Sequence, residues 1–366
     1  MLAEIKSILN RRFLGLDSTM LSAIIMVQVI GLAVLYSASG NSEAYLIRQL
    51  VRIVIGFVLL IIISQIHIQF MKDWTPLAYI AGAILLVLVI FLGEGRGANR
   101  WLDLGFVRFQ PSEIMKLAVP MMTGWLMYHA GVPAKGWKLI ALAVIIVVPA
   151  VLIAKQPDLG TALLISISGV VVVFASGISW KTISAMFVAA MVSMPILWQN
   201  MHDYQKGRVL TFLNPESDPL GKGWNIIQSK IAIGSGGLLG KGWLQGTQAH
   251  LEFLPERSTD FILAVLSEEF GFIGVLLLLG LYLLIGWRSF LIALEARDIF
   301  TRLVALAFAA TFQVYVLVNF GMVSGVLPVV GVPLPLISYG GTSMVTLMMS
   351  FGVLMSISRD NKRSHK

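Results

Sequence analysis

The stretch LEFLPERSTDFILAVLSEEFGFIGVLLLLGLYLLIG, residues 251–286, changes character at a single point. Up to Asp260 it is polar and proline-broken; from Phe261 to Gly286 the only charges are Glu268 and Glu269. A helix rising about 1.5 Å per residue needs about 20 residues to cross about 30 Å of hydrocarbon, so the apolar part is long enough to span a membrane. Asp260 stands where it enters. The rest of the chain repeats the pattern: 57% of its 366 residues are hydrophobic and 13% charged, with a mean hydropathy of +0.84. A soluble domain would carry roughly a quarter charged residues. The 34 glycines and 13 prolines count against a soluble helix bundle but are tolerated in lipid, where neighbouring helices satisfy the freed backbone groups. Cysteine is absent, which excludes disulfides, thiolate metal sites and cysteine nucleophiles.

Working outward, hydropathy predicts ten spans, at about 19–38, 49–66, 74–92, 114–129, 139–154, 161–178, 182–198, 261–286, 303–325 and 337–357. The expected class is an all-α, polytopic integral membrane protein forming one membrane domain over 1–366. Kinks are expected near Pro149 and Pro195. The basic amino-terminal stretch ahead of Thr19 resembles a signal peptide, but with no small-residue cleavage pattern it reads as leading into a retained first span. An even count puts both termini on one side. Fourteen lysines and arginines in short segments, from Lys6 through Arg288 to Lys366, then share that side, against Arg48, Arg96, Arg100, Arg108 and Lys155 opposite. The asymmetry makes the termini cytoplasmic. The net charge of +8 is thus a topology signal, and no nucleic-acid partner is expected.

Three segments on the non-cytoplasmic side exceed what a chain reversal needs: 93–112, 155–160 and the roughly 60-residue loop 199–260. The last contains an apolar stretch Trp224–Ile233 and the glycine-rich GSGGLLGKGWLQGTQ, and is expected to fold back on the membrane with short interfacial or re-entrant helices. Its glycines could allow close backbone approach or supply amide donors; no phosphate-loop spacing is present.

Ionisable groups at membrane depth must pair, snorkel or face a wet cavity, which ranks the candidates. Arg52 and Lys116 lie in or beside spans, and Glu113, three residues before Lys116, can meet it on one helical face. An internal ion pair joining helices is the structural reading of that pair. Arg100, Arg108, Lys155 and Asp158 sit at non-cytoplasmic span ends, where the three cations could receive a phosphate or simply anchor at headgroups. Ser258, Thr259 or Asp260 could cap the helix that follows. Glu268 and Glu269 point about 100° apart, so one must enter the interior. On these grounds alone a transporter, a membrane enzyme and a scaffold all stay open.

Six motifs narrow the choice: GANRWLDLGFVRFQPSE at 97–113, QPDLGTA at 156–162, MHDYQKGRV at 201–209, DPLGKGWNIIQSKIAIGSGG at 218–237, FLPERSTDFI at 253–262 and PVVGVPLPLISYGGTS at 328–343. In this order, on a ten-span frame, they resemble the SEDS family (shape, elongation, division, sporulation) over essentially the whole chain. The resemblance implies polymerisation of lipid II, a membrane-linked disaccharide-peptide, into β-1,4 glycan strands outside the bacterial cytoplasmic membrane. WLDLGFVRFQPSE, MHDY and the short tails favour the elongation branch over the division branch. A lipid II flippase is the alternative from another class.

By the same resemblance Asp260 is the catalytic carboxylate, general base for the acceptor hydroxyl. Arg100, Arg108 and Lys155 would supply positive charge to the departing diphosphate, with Asp158 in the same substrate-binding region. Glu113, Lys116, Glu268 and Glu269 would be structural or supporting residues. A divalent cation, Mg²⁺ or Mn²⁺, could share the diphosphate, although the sequence offers no compact ligand cluster and no other cofactor. Implied partners are lipid II, the growing strand, a class B penicillin-binding protein transpeptidase and other membrane proteins of the elongation complex.

Overall fold

A computed structural model describes residues 15–93, 100–103, 108–201, 206–207, 210–212, 214, 223–247 and 256–363. In hydrocarbon a backbone N–H or C=O finds no water, so long apolar runs close their hydrogen bonds internally as helices. The helices are α1 (Ser18–Ala38), α2 (Glu43–Gln65), α3 (Ile68–Leu92), α4 (Pro111–Ala130), α5 (Trp137–Ala154), α6 (Leu159–Ala175), α7 (Trp180–Asn200), α8 (Trp224–Gly236), α9 (Ile262–Glu295), α10 (Ile299–Val323) and α11 (Thr342–Arg363). Two two-residue strands, β1 (Leu102–Asp103) and β2 (Arg108–Phe109), pair antiparallel ahead of α4. The chain is an all-α, multi-pass membrane protein.

Each of the ten expected spans overlaps a helix, but only six of these helices, α1, α2, α3, α5, α9 and α10, are long and apolar enough by themselves to cross a membrane. The shortfall has a chemical origin. Glu113, Lys116, Pro120 and His129 interrupt α4, α6 has 17 residues, polar residues close both ends of α7, and α11 ends in Arg359, Asp360, Lys362 and Arg363. Helices α5 and α7 continue through Pro149 and Pro195. The glycine-rich region opens with α8, which packs on α9 and is tied to α10 by the Ser229 hydroxyl, donating to Val323 O at 2.8 Å.

The core has two main lobes. One packs α1, α2, α10 and α11 around α9 through Val27, Leu278, Tyr282, Phe312 and Phe351; the other joins α3 to α6 through Leu86, Val119, Ile146 and Val172. Leu303 and Ala307 of α10 extend into the second lobe. Large apolar side chains such as Phe91, Ile140 and Leu317 point outward, as expected where the surrounding solvent is lipid.

A break that the sequence did not suggest lies in α9. Within α9, Gly271 leaves the helical region (φ 64°, ψ −165°), which interrupts the hydrogen-bond ladder. The loop after α8 replaces the missing bonds: Lys241 N and Gly242 N donate to Glu268 O and Glu269 O, both at 3.0 Å, while Phe272 N and Ile273 N donate to Gly237 O at 3.0 Å and Leu238 O at 3.2 Å. Glycine is required on both sides of this clasp. A β-carbon on Gly240 (φ +81°) would lie 2.1 Å from Glu269 O, and one on Gly271 would lie 2.3 Å from Gly240 N.

The helix at the tenth expected span begins later than expected, at Thr342, because 328–341 is irregular backbone folded into the protein. Val332, Leu334, Leu336, Ile337 and Ser338 in it are buried. Pro328, Pro333 and Pro335 have no N–H to satisfy, the Tyr282 hydroxyl donates to Pro335 O at 2.6 Å, and Leu334 N donates to Ser338 Oγ at 2.7 Å. Non-helical chain at this depth is tolerated because protein surrounds it.

Candidate active site

Residues 256–261 form a turn that closes on itself, Thr259 N and Phe261 N both donating to Glu256 O, before α9 starts at Ile262. The cap position is Phe261 and receives no side-chain cap bond, so none of Ser258, Thr259 and Asp260 is the N-cap considered from the sequence. The turn is instead held from outside. Three successive carbonyls each accept a donor from a different residue: Ser258 O from Tyr339 N at 2.9 Å, Thr259 O from the Ser338 hydroxyl at 2.6 Å, and Asp260 O from the Asn319 amide at 2.9 Å. Asp260 is half-buried, and its Oδ2 lies 3.5 Å from where a β-carbon on Gly331 (φ +73°) would be. The irregular segment thus forms the wall behind the carboxylate.

Arg52 of α2 belongs to the same neighbourhood, with its guanidinium carbon 4.3 Å from the Tyr339 ring centre. Gln49, one turn earlier, donates to Ser338 O at 3.2 Å. A cation and an aromatic ring therefore flank the backbone that holds Asp260.

The candidates at the head of α6 divide by role. Arg100 donates to Gln156 O at 2.9 Å and to Pro157 O, and Gln156 in turn donates to Leu86 O at 3.1 Å. Asp158 caps α6, accepting from Thr161 N at 3.3 Å, while its second oxygen accepts from Gln110 at 3.2 Å. Both residues, expected as substrate contacts, thus organise this corner. Lys155 caps the end of α5 and its side chain is exposed. Arg108 pairs through its backbone with Asp103; its side chain lies outside the described residues, as does most of the MHDYQKGRV motif. The corner touches the Asp260 wall, since a β-carbon on Gly160 would lie 2.8 Å from Val330 O, next to Gly331.

Glu113 and Lys116 form the expected pair at 2.7 Å, with side-chain exposures of 7% and 12%. Lys116 also faces the Tyr315 ring across a cavity lined by Thr311, Ser343, Thr346 and Ser350. Of Glu268 and Glu269, expected to send one side chain inward, both are buried. Glu268 accepts from Lys241 Nζ at 2.6 Å and from the Thr247 amide and hydroxyl, both at 2.9 Å, and Glu269 accepts from the Ser37 hydroxyl. Glu268 thus braces the α9 clasp, and Glu269 ties α9 to α1. Among the described residues no group of three or more His, Asp or Glu side chains gathers.

The sequence reading missed Asn319, Ser338, Tyr339 and Gly331 as site residues. Three lie inside the quoted motif at 328–343. Asn319 had its own signal, a lone amide in the apolar run VYVLVNFGMV.

Residues 15–363 match the model of the FtsW/RodA/SpoVE family, described as cell cycle protein. The chain belongs to this family. It is 50% identical over 353 residues to the peptidoglycan glycosyltransferase MrdB of Escherichia coli K12, covering 96% of this chain and 95% of that one. Among solved structures it is similar to a chain of a peptidoglycan synthase complex described as coordinating polymerization and crosslinking (TM-score 0.83, 34% identity, 94% of this chain and 98% of that one). It is also similar to the rod shape determining protein RodA of Thermus thermophilus (TM-score 0.72, 28% identity, 94% and 97%). This end-to-end likeness makes family membership a statement about the whole chain.

Proposed function

We propose that this chain is a peptidoglycan glycosyltransferase of the bacterial cytoplasmic membrane that polymerises lipid II into β-1,4-linked glycan strands during cell elongation. The observation that carries the reading is the 50% identity to MrdB over 353 residues, within which Asp260 stands on an externally pinned turn. The elongation role follows from likeness to MrdB and to a rod-shape protein.

In the proposed reaction the 4-hydroxyl of an acceptor N-acetylglucosamine attacks the anomeric carbon of the N-acetylmuramic acid on lipid diphosphate. The new C–O bond forms as the bond to diphosphate breaks, inverting the anomeric centre. Asp260 takes the hydroxyl proton as bonding develops. Lys155 and Arg108 are assigned to the diphosphate, whose departure needs donors and positive charge rather than a carboxylic acid. The polyprenyl tail stays in lipid, because extraction would cost about 0.8 kcal/mol per CH₂.

Hydropathy and the asymmetry of basic residues in short segments support ten membrane crossings with both termini cytoplasmic, which would put the 199–260 segment outside and Asp260 on the periplasmic side. The partner that fits is a class B penicillin-binding protein, which would crosslink the strands made here; the structural likeness to a complex joining polymerization and crosslinking supports that pairing. The deciding experiment is strand formation from purified lipid II by Asp260→Asn. Asparagine keeps the shape and cannot accept the proton, so a folded variant should lose at least about 10²-fold in rate. A near-normal rate would remove Asp260 from the mechanism.

A further inference from the structure

We infer that Asn319 is a positioning residue that sets the Asp260 carboxylate against the Gly331 wall; this deepens, and rests on, the reading of Asp260 as the general base. Asn319 lies near the end of α10 and is fully buried. Both hydrogens of its amide are used: one goes to Asp260 O at 2.9 Å, the other to Val332 O at 2.8 Å. One planar group therefore fixes the spacing between two chain segments, the turn that carries the carboxylate and the wall on which it rests. The carbonyl of Asp260 is one bond from its Cα, and Val332 follows Gly331 directly.

An apolar side chain of equal size would fill the space but leave both carbonyls without this donor. What the amide supplies is two divergent donors on a rigid plane. Ser338 and Tyr339 hold the two preceding carbonyls, so loss of Asn319 releases the turn at Asp260 and leaves Ser258 and Thr259 anchored. The expected consequence is misaimed chemistry rather than lost substrate binding, since misplacement by about 1 Å can cost about 10²-fold in rate.

The test uses the full-length protein in detergent with purified lipid II. Asn319→Leu, similar in size and without donors, is compared with wild type, Asp260→Asn and the double variant, each normalised to the monodisperse folded fraction. The expected result is a fall in kcat of at least about 10-fold with KM within about twofold, and no further loss when Asn319→Leu is added to Asp260→Asn. A kcat within about twofold of wild type, with only the melting temperature lowered, would overturn the proposal. So would an equal fall in kcat in the Asp260→Asn background. If Asn319→Leu does not fold, Asn319→Ser, which keeps one donor, takes its place under the same criteria. Normal polymerisation by Asp260→Asn would instead remove the catalytic reading itself. With that variant inactive, a normal Asn319→Leu enzyme sinks only the positioning role.

Discussion

Arg288 places two guanidinium nitrogens on one carboxylate oxygen of Asp17, at 2.7 and 2.8 Å, across 271 positions of sequence. The other Asp17 oxygen accepts from Met20 N at 3.1 Å and caps α1, so one buried carboxylate both starts the first helix and fastens it to the far end of α9.

Burial alone would raise the Asp17 pKa, but the bonds from Arg288 and Met20 outweigh it and hold the group below 3.8. A carboxylate depressed on folding contributes stability that is fully present above its unfolded value and lost as pH falls through its folded value. The melting-temperature gap between wild type and Asp17→Asn should therefore be constant from pH 7 to about 5 and shrink below about pH 4. At neutral pH the variant should lose about 2 kcal/mol, because asparagine still caps but weakens a charge-assisted bond. A gap that widens on acidification would contradict the linkage.

The Glu113 and Lys116 pair yields a comparison of single and double changes. Lys116→Met leaves the Glu113 carboxylate buried without its cation and should cost about 3 to 5 kcal/mol, whereas Glu113→Gln with Lys116→Met together should cost much less. Thermal unfolding of wild type and the two purified variants in detergent measures this directly. Equal losses in the single and double variants would mean that the pair is not coupled.

Arg100 and Lys155 should separate by phenotype, although the sequence groups them. Arg100→Gln removes donors from the Gln156 and Pro157 carbonyls and should lower the melting temperature as well as activity. Lys155→Gln alters an exposed side chain; it should leave folding unchanged while raising KM for lipid II about 10-fold, the loss of one charge-assisted contact. An unchanged KM would return Lys155 to the role of a headgroup anchor.

Reporter fusions after Lys138 and near Asp218 should report opposite compartments, the first cytoplasmic, following the asymmetry of basic residues in short segments. Finding both in one compartment would defeat the proposed topology, and with it the periplasmic placement of Asp260.

The helices were legible because hydropathy is a property of composition over about 20 residues and survives ignorance of every contact. The Glu113 and Lys116 contact was legible for a related reason, since three residues on a helix bring two side chains to one face. What escaped depends on segments far apart in the chain. Residues 337–341 at the end of the run PVVGVPLPLISYGG read as the start of a span, and only the Tyr282 hydroxyl and the seated turn at 258–260 show the run to be an inward-folded wall. The part played by Asn319 was hidden likewise, because both of its acceptors are backbone atoms from other segments.

The break in α9 has a consequence for how this sequence can vary. Gly240 and Gly271 stand 31 positions apart, yet each occupies the space that the other's β-carbon would need. They behave as a single inherited unit: a larger residue at either site is barred until the opposing backbone retreats, and that retreat would break the four backbone hydrogen bonds of the clasp. Neither glycine alone can drift. The stretch between them carries the pinned turn at 258–260 and the first turns of α9, so a shift at either end of the clasp is passed on to the turn that bears Asp260.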